Sequence, residues 1–154
     1  METPRGIASG PRVEFLRAEP GWVPGDDTLA ALVYGDTPST SNDPRLLRVG
    51  LTTGETGHAT EVWHAPGPTA TGIAGPIRFA AHADFLFGIL ELDELQFGGM
   101  PGAAESSYRF IREFQERQPQ RHLLRIWNFL DSINEGEGDF ERYRQFCVGR
   151  SRGL

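Results

Sequence analysis

Arginine side chains are concentrated near the end of the sequence, in the segment 140–152. A helix over its first part would carry Arg142, and Arg150 and Arg152 would follow where the chain leaves that helix. Planar guanidinium groups bind carboxylates through paired N–H donors, so two or three of them could converge, beside Tyr143, on a small carboxylate. The alternative is that they form surface ion pairs with nearby acids, Glu135, Glu137 and Glu141.

Lysine is absent, since all 15 basic residues are Arg. This excludes a lysine that forms a Schiff base, a P-loop lysine that binds phosphate and a lysine that acts as a general base. The formal net charge is −6. Residues 121–154 hold six Arg and five acidic residues, a balance of +1, which leaves −7 on residues 1–120. An acidic body without a basic stripe argues against nucleic acid as a partner.

The sequence contains few signals for metal binding, nucleophilic catalysis or nucleotide binding. No metal-ligand spacing links the four histidines, His58, His64, His82 and His122. The sequence has one cysteine, Cys147, and neither a nucleophile elbow nor a glycine-rich nucleotide fingerprint. We therefore predict no metal and no cofactor. No apolar run is long enough to span a membrane and no signal sequence opens the chain, so we expect a cytoplasmic protein.

The pattern of elements predicts an α+β domain behind an irregular arm. The arm, residues 1–44, contains six prolines and two short apolar pieces, 13–16 and 29–34, which predict one or two short strands. The domain covers 45–154. Its predicted strands are 46–51, 59–64, 77–81, 85–92 and 122–130.

Turn residues suggest how these strands connect. We expect the first two to pair as a hairpin through a turn at 52–57, and residues 65–76 to form a loop. The strongly apolar strand 85–92 should be central, and 122–130 should be buried.

Two helices complete the predicted domain, packed on one face of a mixed sheet. Apolar residues at helical spacing predict the first over 103–118. Asp139 is predicted to cap the second and Gly149 to end it. Its inward face is predicted from Phe140, Tyr143 and Cys147, the last as a packed thiol.

Five stretches together resemble the amino-terminal half of the chorismatases, the chorismate pyruvate-hydrolases of secondary metabolism that include bacterial 3-hydroxybenzoate synthases. The stretches are 61–63, 75–80, 86–94, 122–129 and 141–150. The resemblance runs from about residue 46 to the end of the sequence.

This resemblance implies a YjgF/Rid-like fold and a homotrimer with pockets at the subunit interfaces. It also implies that the family's substrate-binding arginines correspond to Arg142, Arg152 and Arg150, with Tyr143 and Trp127 as packing or hydrogen-bonding partners. The family's catalytic glutamate belongs to a second, carboxyl-terminal domain, and we expect no counterpart of it here.

Chorismate carries two carboxylates and an enol ether, so its cleavage needs guanidinium clamps and a carboxylic acid that protonates the enol-ether carbon. That acid is not assigned. Glu61, Glu91, Asp93 or Glu94 would serve only if self-association placed one of them in an interface pocket. We expect a stand-alone chorismatase-like protein of bacterial secondary metabolism that binds, and converts by hydrolysis, elimination or cyclisation, chorismate or a related cyclic or aromatic carboxylate. The alternatives are a non-catalytic binding or subunit-like module, and part of a longer enzyme.

Overall fold

Seven strands and two α-helices appear in the computed structural model, which describes residues 10–17, 21–35, 41–51 and 59–154. They are β1 (Arg12–Leu16), β2 (Thr28–Tyr34), β3 (Leu46–Val49), β4 (Thr60–His64), β5 (Ala70–Ala74), β6 (Ile77–Ala81), β7 (Leu86–Leu90), α1 (Met100–Glu116) and α2 (Arg142–Gly153), with 3₁₀ turns at Glu94–Phe97 and Gly138–Phe140. This confirms the α+β class. Neither described helix has the length and apolar character needed to cross a membrane.

The chain divides into two compact units. One contains the described residues up to Gly72 together with Arg78–Ile89, and the other contains Ile73–Ile77 and Leu90–Leu154. The strands form two sheets rather than one, a four-stranded sheet in the order β1-β4-β2-β3 and a three-stranded sheet in the order β5-β6-β7. The first is mixed, because β2 pairs antiparallel with β4 and parallel with β3.

The core of the four-stranded sheet is built on β2. The first six residues of this strand are buried. Its alternate side chains supply two hydrophobic clusters, Ala31 and Val33 on one face and Ala30 and Leu32 on the other. A nearly continuous apolar run is what a strand covered on both faces requires. Of the one or two short strands expected within residues 1–44, both are present, as β1 and β2.

The predicted hairpin between β3 and β4 is wrong. β2 lies between them, and Leu46 of β3 stands beside Ala31 in a parallel pair. The prediction rested on the turn-forming residues between β3 and β4. In the structure β2, the most apolar strand, lies between these two strands and pairs with both. The predicted turn at 52–57 lies outside the described residues.

The three-stranded sheet also departs from the prediction. β5 falls within the predicted loop 65–76, where small residues obscured the strand pattern. A Cβ at Gly72 would lie 2.5 Å from the Phe79 ring, so the small residue makes room for that ring. β6 is confirmed at Ile77–Ala81, whereas β7 lies at the edge of this described sheet rather than at its centre.

α1 and α2 pack closely because glycines of α2 face α1. Gly149 and Gly153 are buried, and a Cβ added at Gly149 would overlap the carbonyl oxygen of Pro101. One turn earlier, Phe146 packs against Tyr108 with ring centroids 6.3 Å apart. The missing side chains therefore allow the two backbones to approach. The helix predicted at 103–118 is confirmed as α1, which begins earlier because a proline suits the first helical turn.

The inward face predicted for the final helix is wrong. The three residues assigned to it are exposed, Phe140, Tyr143 and Cys147. Gly149 lies inside α2 rather than at its end, and Asp139 lies in the preceding 3₁₀ turn rather than at the helix cap. Hydrophobic periodicity overlooks a contact stripe made partly of glycine, since glycine adds no apolar side chain to the pattern.

The buried strand predicted at 122–130 is also not observed, since the structure assigns no strand there. Ile126 and Leu130 pack against the α1–α2 cluster, and Tyr108 donates a hydrogen bond of 3.1 Å to Asn128 Oδ1. Leu124 is 78% exposed. The apolar residues of this segment thus cover the helix pair instead of entering either sheet.

Glu61 links two aromatic side chains on the four-stranded sheet. Its carboxylate accepts hydrogen bonds from Tyr34 Oη at 3.0 Å and from Trp63 Nε1 at 2.8 Å. Burial, reinforced by the hydrogen bond to Glu61 and by its negative charge, raises the pKa of Tyr34 to about 12. Folding therefore favours the protonated phenol.

We predict that Gly149→Ala lowers the free energy of unfolding by about 1–3 kcal/mol, because the new methyl group must push α2 away from α1. Urea denaturation measures the change. Ser151→Ala is the matched control, since Ser151 is an exposed position of the same helix. Equal stability of the two variants would contradict the close packing at Gly149.

We predict that stability falls between about pH 10 and pH 12 in part through Tyr34. Below this range the phenol is protonated in both the folded and unfolded chains. Within it the unfolded chain loses the proton first, so rising pH favours unfolding. Chemical denaturation at successive pH values should show a weaker loss for Tyr34→Phe, whereas the exposed control Tyr143→Phe should follow the wild type.

Candidate functional site

Arg142 connects three segments at the start of α2. Its Nη1 and Nη2 atoms donate hydrogen bonds to the Glu94 carboxylate, at 3.1 and 2.6 Å. Nε donates to the Asp131 carbonyl oxygen at 3.1 Å, and the backbone N–H donates to the Glu135 carbonyl oxygen at 2.9 Å. The hydrogen bonds to Glu94 are the main reason that the pKa of Arg142 is raised. The paired donors thus already hold a carboxylate.

A groove with a volume of about 410 Å³ surrounds this ion pair. Its lining consists of Leu92, Asp93, Glu94, Leu95, Asp131, Ser132, Glu135 and Arg142. Four acidic residues and one arginine therefore line this groove. The paired Nη1 and Nη2 donors of Arg142 are already bound to Glu94, and the surrounding charge is negative. The groove as it stands therefore disfavours an additional anion.

A second groove, of about 390 Å³, contains Arg152. It is lined by Gly98, Gly99, Pro101, Asp139, Phe140, Gln145, Val148 and Arg152. Its one carboxylate, that of Asp139, accepts a hydrogen bond of 3.3 Å from Arg144. Phe140 and Val148 are 79% and 47% exposed and give the groove apolar surface. A guanidinium group beside apolar walls is suited to an aromatic or cyclic carboxylate.

The remaining predicted site residues lie elsewhere. The Arg150 guanidinium stands 5.5 Å from the centroid of the Tyr108 ring, and Trp127 stacks with Arg125 at 4.7 Å. Tyr143 is 52% exposed. α2 continues to Gly153, so Arg150 and Arg152 lie two positions apart in a helix and project from nearly opposite sides of it, about 160° apart around the axis. The structure therefore does not bring the five predicted residues into one groove of this chain.

Sequence reasoning missed the partner of Arg142. Glu94 was considered only as a catalytic acid, and it lies 48 positions before Arg142. No local spacing rule connects residues so far apart. Of the other acids considered, Asp93 accepts a hydrogen bond from the Leu95 N–H and caps a 3₁₀ turn, and Glu61 holds Tyr34 and Trp63. Within residues 10–17, 21–35, 41–51 and 59–154, no group of three or more His, Cys, Asp or Glu side chains could hold a metal.

The chain is similar to chorismatases. A family model described as chorismatase FkbO/Hyg5-like, N-terminal, matches residues 61–154. A chorismatase of Streptomyces rapamycinicus is 31% identical over 153 residues, and one of Streptomyces hygroscopicus is 32% identical over 136 residues. These alignments cover 95% and 84% of this chain, but 45% and 39% of the two relatives.

A solved structure shows the same similarity. A crystal structure of chorismatase superposes with a TM-score of 0.78 at 29% sequence identity, covering 94% of this chain and 45% of that one. The chain therefore spans less than half the length of these relatives. Its described elements correspond to one part of the larger fold.

We predict that Arg142→Lys lowers the free energy of unfolding by about 1–2 kcal/mol, because one ammonium group cannot replace donors aimed at Glu94 and at the Asp131 carbonyl. Arg144→Lys is the matched control, since the Arg144 ion pairs are exposed and should contribute little. Urea denaturation compares the two variants. Equal losses would show that the Arg142 contacts contribute no more than surface pairs.

Proposed function

The chain belongs to the family of FkbO/Hyg5-like chorismatase amino-terminal domains, and from this premise we propose that it binds chorismate or a related cyclic or aromatic carboxylate. We propose further that it takes part in the conversion of this ligand by hydrolysis, elimination or cyclisation in bacterial secondary metabolism. The family match over residues 61–154 carries the proposal, because it includes both helices and both grooves. Both Streptomyces relatives are chorismatases, which supports the ligand class.

Arg152 is the residue to which we assign the carboxylate. Its guanidinium group makes no ion pair with another residue in the described part of the chain. It lies in a groove whose apolar walls, Phe140 and Val148, suit a six-membered ring, and Gln145 supplies an amide for a hydroxyl or ether oxygen. A carboxylate beside Arg152 would form charge-assisted hydrogen bonds that fix the ring against these walls.

Arg142, Arg150, Tyr143 and Trp127 would then act outside this groove. We propose a homotrimer in which pockets at the subunit interfaces bring side chains of neighbouring copies to the ligand. Arg150 and Tyr143 support this arrangement because both lie at the protein surface, where another copy could meet them. A ligand with two carboxylates requires such a second cation.

A second candidate function is binding without conversion. An acid that protonates an enol ether must carry its own proton. Glu94 accepts hydrogen bonds from both Nη atoms of Arg142, which is the arrangement of an ionised carboxylate. None of the described Asp and Glu residues is buried, and burial is the usual means of keeping a carboxylic acid protonated.

We predict that the protein binds chorismate and that Arg152→Ala weakens binding about tenfold or more, because it removes the charge-assisted hydrogen bonds. Isothermal titration measures binding, and a coupled assay follows pyruvate release. Arg117→Ala, at the exposed end of α1 and outside both grooves, is the control and should bind as the wild type does. Pyruvate release abolished by Arg152→Ala supports the enzyme, and binding without release supports the second candidate. Absence of binding to chorismate and to benzoate would overturn both.

A further inference from the structure

Glu94 occupies the position on Arg142 that a ligand carboxylate would take. Its two oxygens accept hydrogen bonds from Nη1 and Nη2, in the paired arrangement by which guanidinium groups recognise carboxylates. We propose that Glu94 is an exchangeable resident carboxylate: a ligand carboxylate binds the paired Nη donors of Arg142 (the Arg142 fork) by displacing it, so competition with Glu94 sets the affinity of the site for carboxylates. The identity of the ligand rests on the proposed function; the exchange itself does not.

The Arg142 fork is held in place without Glu94. Nε donates to the Asp131 carbonyl oxygen at 3.1 Å, on the edge of the guanidinium group away from the paired donors. The backbone N–H of Arg142 is bonded to the Glu135 carbonyl oxygen at 2.9 Å, and its side chain is 23% exposed. The Arg142 guanidinium group is thus preorganised to bind a carboxylate, and it keeps its orientation when Glu94 leaves.

Glu94 lies on an exposed turn, and the Gly99 N–H donates a hydrogen bond of 2.8 Å to its carbonyl oxygen, so the exchange moves only its side chain. The 3₁₀ turn Glu94–Phe97 contains no buried residue, and Leu95 within it is 90% exposed. The turn is attached to α1 at its far end, where the Phe97 ring meets Phe110 edge-on at 6.4 Å. Gly98 follows with a φ of 77°. Glu94 can therefore leave Arg142 without opening the hydrophobic cluster between α1 and α2.

The negative charge of the groove favours exchange of one carboxylate for another over the addition of a second carboxylate. Asp93, Asp131 and Glu135 line the same groove, so a second anion beside Glu94 would meet four carboxylates and one cation. When Glu94 swings into solvent and a ligand carboxylate takes its place, the charge at the fork is unchanged. A ligand must compete with a tethered carboxylate, which lowers the affinity of the wild-type chain for any monocarboxylate.

Formate tests the receptor directly. Glu94→Ala empties the fork, so we expect its melting temperature to fall in sodium chloride and to recover in sodium formate at equal ionic strength. The wild type, whose fork is filled, and the double variant Glu94→Ala/Arg142→Ala, which has no fork, should respond equally little to formate. A formate response of Glu94→Ala no larger than that of the double variant would overturn the proposal.

Benzoate tests the competition. Glu94→Gln keeps the shape of the side chain but removes its charge, and circular dichroism checks its fold. We expect it to bind benzoate about tenfold more tightly than the wild type in isothermal titration. Equal or weaker binding would show that Glu94 only positions Arg142, which overturns the exchange. If the wild type binds chorismate but both Glu94 variants fail these tests, the exchange alone is disproved. If Glu94→Ala responds to formate and Glu94→Gln binds benzoate, but the wild type binds neither chorismate nor benzoate, the proposed function alone is disproved.

Discussion

Hydrogen bonds from guanidinium groups to backbone carbonyls hold the irregular segments of this chain. Arg45 donates to the Gly25 carbonyl oxygen at 2.7 Å, and Arg78 donates to the Leu46 carbonyl oxygen at 2.7 Å. Arg142 does the same for Asp131, and Arg112 reaches the carbonyl oxygen of Leu154 at 3.2 Å. A guanidinium group can serve several acceptors in one plane, which a single ammonium group cannot. In a chain without lysine, arginine thus connects segments far apart in sequence.

This structural use of arginine changes how the late arginines should be interpreted. Abundance and spacing suggested that Arg142, Arg150 and Arg152 would act together on one anion. The structure gives each a different environment: an ion pair with Glu94, the face of Tyr108, and an open groove. The alternative to a ligand role was that these arginines form surface ion pairs with Glu135, Glu137 and Glu141. Arg142 instead pairs with Glu94, and Glu141 pairs with Arg144. The arginines predicted carboxylate binding as the class of chemistry. The contacts that each arginine makes within the fold determine which guanidinium group is available for a ligand.

The sequence was most informative where an element depends on its own residues. β6 and α1 follow from local apolar spacing, and β2 from a run that no solvent-facing strand would tolerate. It was least informative where the outcome depends on competition between distant segments. The hairpin failed because β2 outcompetes β4 as the partner of β3. The segment 122–130 has the composition of a strand, yet its Ile126 and Leu130 pack against the α1–α2 pair.

The same contrast explains the site. Gly149 resembles a residue that ends a helix, but its missing side chain allows close contact with α1. α2 continues past it through Arg150 and Arg152. Continuation of the helix places these two side chains on nearly opposite sides of α2, about 160° apart around its axis. Had the helix ended at Gly149, an irregular tail could have turned both toward one ligand. Because it does not, the Arg152 groove offers one guanidinium group to a carboxylate, and the second carboxylate of a ligand such as chorismate must find its cation outside that groove.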